Sequence, residues 1–119
     1  MELAEVVSAL ARDRTIDITT IGAKSGRPRR IEIWAWVTNS TVYLTGTPGR
    51  RDWYANLAAN PEFTFHLKRG VQADLPARAQ PIGDPAERRA VFERLRPRQV
   101  DAWTARSPLV RVEFSTLSA

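Results

Sequence analysis

The sequence of 119 residues contains no cysteine, one methionine and a single histidine. Without cysteine there is no disulfide framework, no thiolate nucleophile and no thiolate metal site. One histidine, His66, excludes a His-rich zinc centre and any catalytic arrangement that needs a second histidine. With no partner in view, His66 reads as a sheet-surface residue and not as a catalyst, and no metal site is expected. No run of about 18 apolar residues occurs, so no membrane-spanning helix is expected. The first 14 residues start acidic and lack the apolar segment of a secretory signal, which makes a cytoplasmic protein the expectation. No Gly-x-Gly-x-x-Gly lies between a strand and a helix, which argues against a Rossmann fold. Lysine is scarce too: of 18 basic residues only Lys24 and Lys68 are lysines.

What is present is an ordinary globular composition, 43% hydrophobic and 26% charged, consistent with one domain over residues 1–119. The net charge of +5 is unevenly laid out. Residues 24–30 carry four positive charges and no negative one, within the stretch Thr20-Ile-Gly-Ala-Lys-Ser-Gly-Arg-Pro-Arg-Arg. Two glycines, a serine, a lysine and several arginines supply backbone amides, a hydroxyl and guanidinium forks. These are the groups that hold phosphate or carboxylate oxygens. The alternative is a solvated basic hairpin.

Along the chain, Leu3, Val6, Val7 and Leu10 recur at helical spacing over residues 2–12. Thr15–Ile21 alternates as a strand, with Ile16, Ile18 and Thr20 on one face. Arg30–Thr38 carries Ile31, Ile33, Ala35 and Val37 on one face and Trp34 and Trp36 on the other, which predicts a central strand. Asn39-Ser40 predicts a hairpin turn into Thr41–Thr47. The Gly46–Arg51 loop leads to Asp52 as an N-cap, then a helix to Ala59 stopped by Asn60-Pro61. Phe63, Phe65 and Leu67 mark another strand, and Val71–Ile82 a broken or edge strand because it contains Pro76. A helix over Pro85–Leu95 with Ala86, Val91 and Leu95 inward, a short helix over Val100–Ala105 and a strand over Leu109–Leu117 complete the chain. Six strands with short helices between the later ones predict a mainly β or α+β domain, a small and partly open antiparallel barrel.

Two stretches together carry a resemblance. The Thr20–Arg30 segment is followed by Gly49-Arg-Arg-Asp-Trp-Tyr-Ala-Asn-Leu-Ala-Ala-Asn-Pro-Glu. The pair resembles the deazaflavin-dependent nitroreductase family, flavin and deazaflavin oxidoreductases of split β-barrel (FMN-binding-like) fold that are common in actinobacteria, over about Ile16 to Phe114. The resemblance implies binding of coenzyme F420, a phosphorylated deazaflavin with a polyglutamate tail. It also implies hydride transfer to a small-molecule acceptor, a quinone, nitroaromatic or similar electrophile. Carried over by position, Lys24, Ser25, Gly26 and Arg29 or Arg30 would hold the phosphate and acidic tail. The amides around Thr45, Gly46, Thr47 and Gly49 would take the other side of the phosphate or the ring edge. Trp53, Tyr54 and Asn56 match the family's Trp-Tyr-x-Asn-Leu helix, which shapes the cofactor groove, while Trp34, Trp36 and Trp103 would flank the ring and the substrate pocket. Burial tendencies alone make Trp53 and Tyr54 core anchors. No acid–base residue is assigned, because hydride transfer depends on positioning and a water-poor pocket. Related split barrels often form homodimers.

Two other readings use the same residues. One is the same barrel binding FMN. The other is a small basic barrel binding nucleic acid, with Trp34, Trp36 and Tyr43 stacking on bases. The gathering of charge at one loop, not along a strand face, speaks against the second.

Overall fold

A computed structural model describes residues 1–117. Six strands, β1 (Thr15–Ile21), β2 (Pro28–Thr38), β3 (Thr41–Thr45), β4 (Glu62–Leu67), β5 (Ala73–Pro81) and β6 (Leu109–Phe114), are joined by four helices. The helices are α1 (Leu3–Arg12), α2 (Asp52–Ala59), α3 (Pro85–Leu95) and α4 (Val100–Arg106). All strand pairs are antiparallel, in the order β1-β2-β3-β6-β5-β4, and β4 returns to β1 to close the barrel. The barrel is thus closed and not partly open.

Alternation along the strands fills it. Ile16, Ile18, Ala35, Val42, Leu44, Phe65, Ala77 and Val110 are each at most 1% exposed and form the core. The buried face of α1, Val6, Ala9 and Leu10, joins the same core. A second, smaller core lies outside the barrel, where α3 and α4 bring Val91, Phe92 and Trp103 against Tyr43, Ile82 and Leu109. Asn39 and Ser40 both have positive φ, +50° and +59°, the twist that a two-residue hairpin loop needs.

Several expectations are corrected. β2 begins at Pro28, so Arg29 and Arg30 are strand residues and the basic loop proper is 22–27. β2 does pair on both sides, but its faces are not both buried: Ile31 is 37% and Trp34 54% exposed. β5 is interior despite Pro76. Pairing of β5 with β6 stops at Ala77 and Phe114, and the Pro76 carbonyl takes the N–H of Ser115 at 3.0 Å. The missing proline N–H therefore falls where the ladder has already ended. Arg51, not Asp52, occupies the N-cap of α2, and Asp52 lies in the first turn, where its charge suits the helix dipole. In α3, Ala86 is exposed and Phe92 is buried, with Asp84 capping the helix by accepting from the Glu87 amide at 2.9 Å.

Candidate functional site

The β1–β2 connection is held in one shape by short bonds. The N–H of Gly22 donates to Arg27 O and that of Gly26 to Gly22 O, both at 2.9 Å. The N–H of Arg27 donates to Ser25 Oγ at 3.2 Å. Gly26 sits at φ +69°, which favours glycine, and Gly22 is buried so closely against Ser25 Oγ that a Cβ there would clash. Helix α2 braces this loop from the side. Asn56 accepts the Ala23 N–H at 2.9 Å and donates to the buried Thr20 hydroxyl at 3.2 Å. Asn60 adds a bond to Ile21 O at 3.4 Å.

Between loop and helix lies a cleft of about 420 Å³. Lys24, Ser25 and Arg29 line one side, Trp53 and Ala55 the other, with Thr20, Gly22 and Asn56 at the junction. Among the described residues, Lys24, Arg27 and Arg29 make no ion pair. The amides of Lys24 and Ser25 likewise take no protein acceptor. Unpaired cations and a hydroxyl beside an apolar wall, on a loop with free amides, are groups able to hold an anion attached to a flat or apolar body. The wall is firm because Trp53 is 8% exposed and meets Tyr54 edge-on at 6.0 Å.

The remaining residues named from sequence lie elsewhere. Arg30 is turned to the outer face of the barrel, its Nε 2.9 Å from Asp17 Oδ2. Lys68 shares that aspartate at 2.7 Å and Glu32 at 2.5 Å. Burial disfavours the charge on Asp17, but the bonds from Lys68 and Arg30 prevail and hold its carboxyl below the usual range. The Thr45 hydroxyl is buried and donates to Pro108 O at 2.5 Å. Gly46, Thr47 and Gly49 form a separate loop closed by Arg51, which donates to Thr47 O at 3.0 Å and Thr47 Oγ1 at 2.6 Å. The Gly49 N–H is taken by Arg106 O at 3.2 Å, which ties the loop to the end of α4.

Nor does the fold bring Trp34, Trp36 or Trp103 to the cleft. The rung Thr20↔Arg29 lies at the cleft and Thr15↔Trp34 at the other end of β1, five residues or about 17 Å along the strand. Trp34 and Trp36 hold the Arg14 guanidinium between them at 5.0 and 4.4 Å. Trp36 meets Trp103 edge-on at 6.3 Å, and Trp103 is 5% exposed in the second core.

The sequence reading missed the bracing hydroxyl of Thr20, the packing of Gly22 and the cleft positions Ile31, Asp52 and Ala55. Thr20 and Gly22 lay inside the stretch singled out, and alternation put Thr20 on the face of Ile16 and Ile18, but only the folded chain brings Asn56 to its hydroxyl. It also missed Arg88, whose guanidinium donates to Ile82 O and Thr104 O at 2.9 Å and Ser107 O at 2.5 Å, pinning α3 to the end of α4.

Residues 2–114 match the sequence profile of the F420H(2)-dependent quinone reductases. The chain belongs to that family. Membership makes it an oxidoreductase whose cofactor is coenzyme F420. None of the curated proteins matches the chain. Solved structures agree in fold. An F420-H2 dependent reductase is 22% identical, with a TM-score of 0.61 over 85% of this chain and 95% of that one. A conserved hypothetical protein of Mycobacterium tuberculosis is 22% identical, with a TM-score of 0.70 over 97% and 81%. A FAD-binding protein of Mesorhizobium loti is 17% identical, with a TM-score of 0.64 over 98% and 90%. The family reductase is thus a six-stranded split barrel with four short helices. No described helix is long and apolar enough to cross a membrane.

Proposed function

We propose that the cleft between the 22–27 loop and α2 holds the phosphate and acidic tail of F420, and that the electron acceptor is a quinone. The observation that supports this reading is the convergence of Lys24, Ser25, Arg29 and two free amides on one cleft walled by Trp53. Lys24 and Arg29 neutralise the anion, the guanidinium offering two parallel donors to one phosphate or carboxylate. The Ser25 hydroxyl and the amides of Lys24 and Ser25 complete the cradle. Asn56 acts through the loop: its amide fixes Ala23 and Thr20, and so presents those amides ready-aligned. Trp53 and Ile31 offer apolar surface that keeps water away from the bound group. When bound, the reduced deazaflavin supplies the hydride. Consistent with that chemistry, the cleft contains no histidine and has Asp52 as its one carboxylate.

Arg30 is left out of this assignment because Asp17 already engages it. Trp34 and Trp36 are left out of the cofactor cleft because of their distance along β2, and Trp103 because it is buried in the second core on α4. A cytoplasmic setting, where a soluble reduced cofactor is regenerated, suits such an enzyme.

Fluorescence titration with oxidised F420, with FMN in parallel, tests the proposal. Saturable binding of F420 that is lost on removing the Lys24 and Arg29 charges is expected. Equal or tighter binding of FMN, or F420 affinity indifferent to both charges, would overturn the cleft assignment.

A further inference from the structure

His66 gained partners that the linear sequence did not reveal. It projects from the outer face of β4, yet it is only 6% exposed. Its two ring nitrogens are both engaged by neighbouring strands. Nδ1 lies 2.6 Å from Asp74 Oδ1 on β5, and Nε2 lies 2.7 Å from Thr19 Oγ1 on β1. Registry produces this: His66 stands directly across from Asp74, and Thr19 stands two rungs along from Asp17, on the same face as the residue opposite His66. The cleft plays no part, since Thr19 faces outward where Thr20 faces the core.

Charge fixes the direction of the bonds. The Asp74 carboxylate, held below its usual range first by the hydrogen bond from His66, is an acceptor only. The proton between Asp74 and His66 therefore sits on Nδ1. With the ring neutral and its proton on Nδ1, Nε2 is an acceptor, and the threonine hydroxyl donates to it. A hydroxyl donating to an imidazole whose far nitrogen donates to a carboxylate is the arrangement that activates an oxygen nucleophile. Thr19 is part exposed, so an acyl donor can reach it.

We propose that Thr19, His66 and Asp74 form a second reactive site, in which the Thr19 hydroxyl accepts an acyl group from small activated esters. Thr19 Oγ1 attacks the ester carbonyl carbon as its proton passes to His66 Nε2. The new Thr19 ester forms, the bond to the leaving alkoxide or phenolate breaks, and the leaving group departs as the anion or takes the proton back from His66. Asp74 orients the ring and stabilises the charge it gains. Water then hydrolyses the Thr19 ester by the same route, returning a carboxylic acid.

The test uses the full chain with p-nitrophenyl acetate, read by phenolate release and by intact and peptide mass. Acetylation confined to the peptide carrying Thr19 is expected, with phenolate release lowered about 10²-fold or more in His66→Ala, the scale for a lost general base. Thr19→Val should abolish the adduct, and Asp74→Asn, on an exposed side chain, should slow its formation while leaving the melting curve nearly unchanged. Binding of F420 to the Asp74→Asn and Thr19→Val variants should match the parent, which separates failure here from failure of the cleft assignment. Absence of a Thr19 adduct in the parent, or equal adduct formation in Asp74→Asn, would sink the proposal even if His66→Ala does not fold.

Discussion

Among the described residues, Lys24 and Arg29 form none of the ion pairs that engage Arg30, Lys68, Arg78 and Arg111, so an incoming anion meets them unpaired. Each should contribute to F420 binding on the scale of a charged hydrogen bond, about 1–3 kcal/mol. Lys24→Ala and Arg29→Ala are expected to raise the Kd about 5- to 150-fold each in the fluorescence titration. Arg30→Ala, whose side chain is spent on Asp17, should raise it less than either. The loop that carries these groups depends on a glycine chosen for space. In Gly22→Ala the new methyl must push Ser25 aside, and strain of this kind typically costs about 1–3 kcal/mol. A lower melting temperature together with weaker F420 binding is expected. Normal binding would show that the Ser25 hydroxyl does not touch the ligand.

Helix α2 has two jobs, and its two faces divide them. Trp53 and Leu57 point into the barrel core, while Asn56 and Asn60 reach the β1–β2 loop. Trp53→Ala should destabilise the fold by about 3–5 kcal/mol, the scale for large core aromatics, as measured by urea unfolding. Asn56→Ala should instead leave the helix in place and loosen the loop, because Ala23 and Thr20 lose their partner. The helix, its stop at Asn60-Pro61 and the basic loop were all legible in sequence, since each rests on local chemistry: apolar spacing, breakers, a run of charge. What was not legible depends on pairing between strands. Nothing local says that Arg30 turns to Asp17 while Arg29 turns to the cleft, or that Pro76 falls one rung past the end of a ladder. Trp34 and Trp36 were expected to flank the ring and the substrate pocket, and nothing local shows that β2 is long enough to carry them to the far end of the barrel from the loop.

At the scale of the whole barrel, the outer faces of β1 and β2 and the residue just past β4 are joined by one charged network, Arg30–Asp17–Lys68–Glu32. Asp17 is its centre and is largely covered, with 15% of its side chain exposed. Its carboxyl titrates below its unfolded value of 3.8. The native state then binds fewer protons than the unfolded chain as pH falls through that range, so acid favours unfolding. The stability that Asp17 supplies is full above about pH 4 and is lost as pH drops through its lower folded pKa. Lys68 works in the opposite direction. Its hydrogen bonds to Asp17 and then Glu32 raise its pKa above 10.5, so its contribution is full below that value and disappears as pH climbs through the folded pKa. The network should therefore stabilise the barrel evenly between these limits and fail at both ends. Comparing Asp17→Asn with the parent by urea unfolding should show a gap that is constant from pH 5 to pH 9 and closes toward pH 3. A gap that stays open at pH 3 would mean that the variant acts through packing at the β1–β4 seam and not through charge.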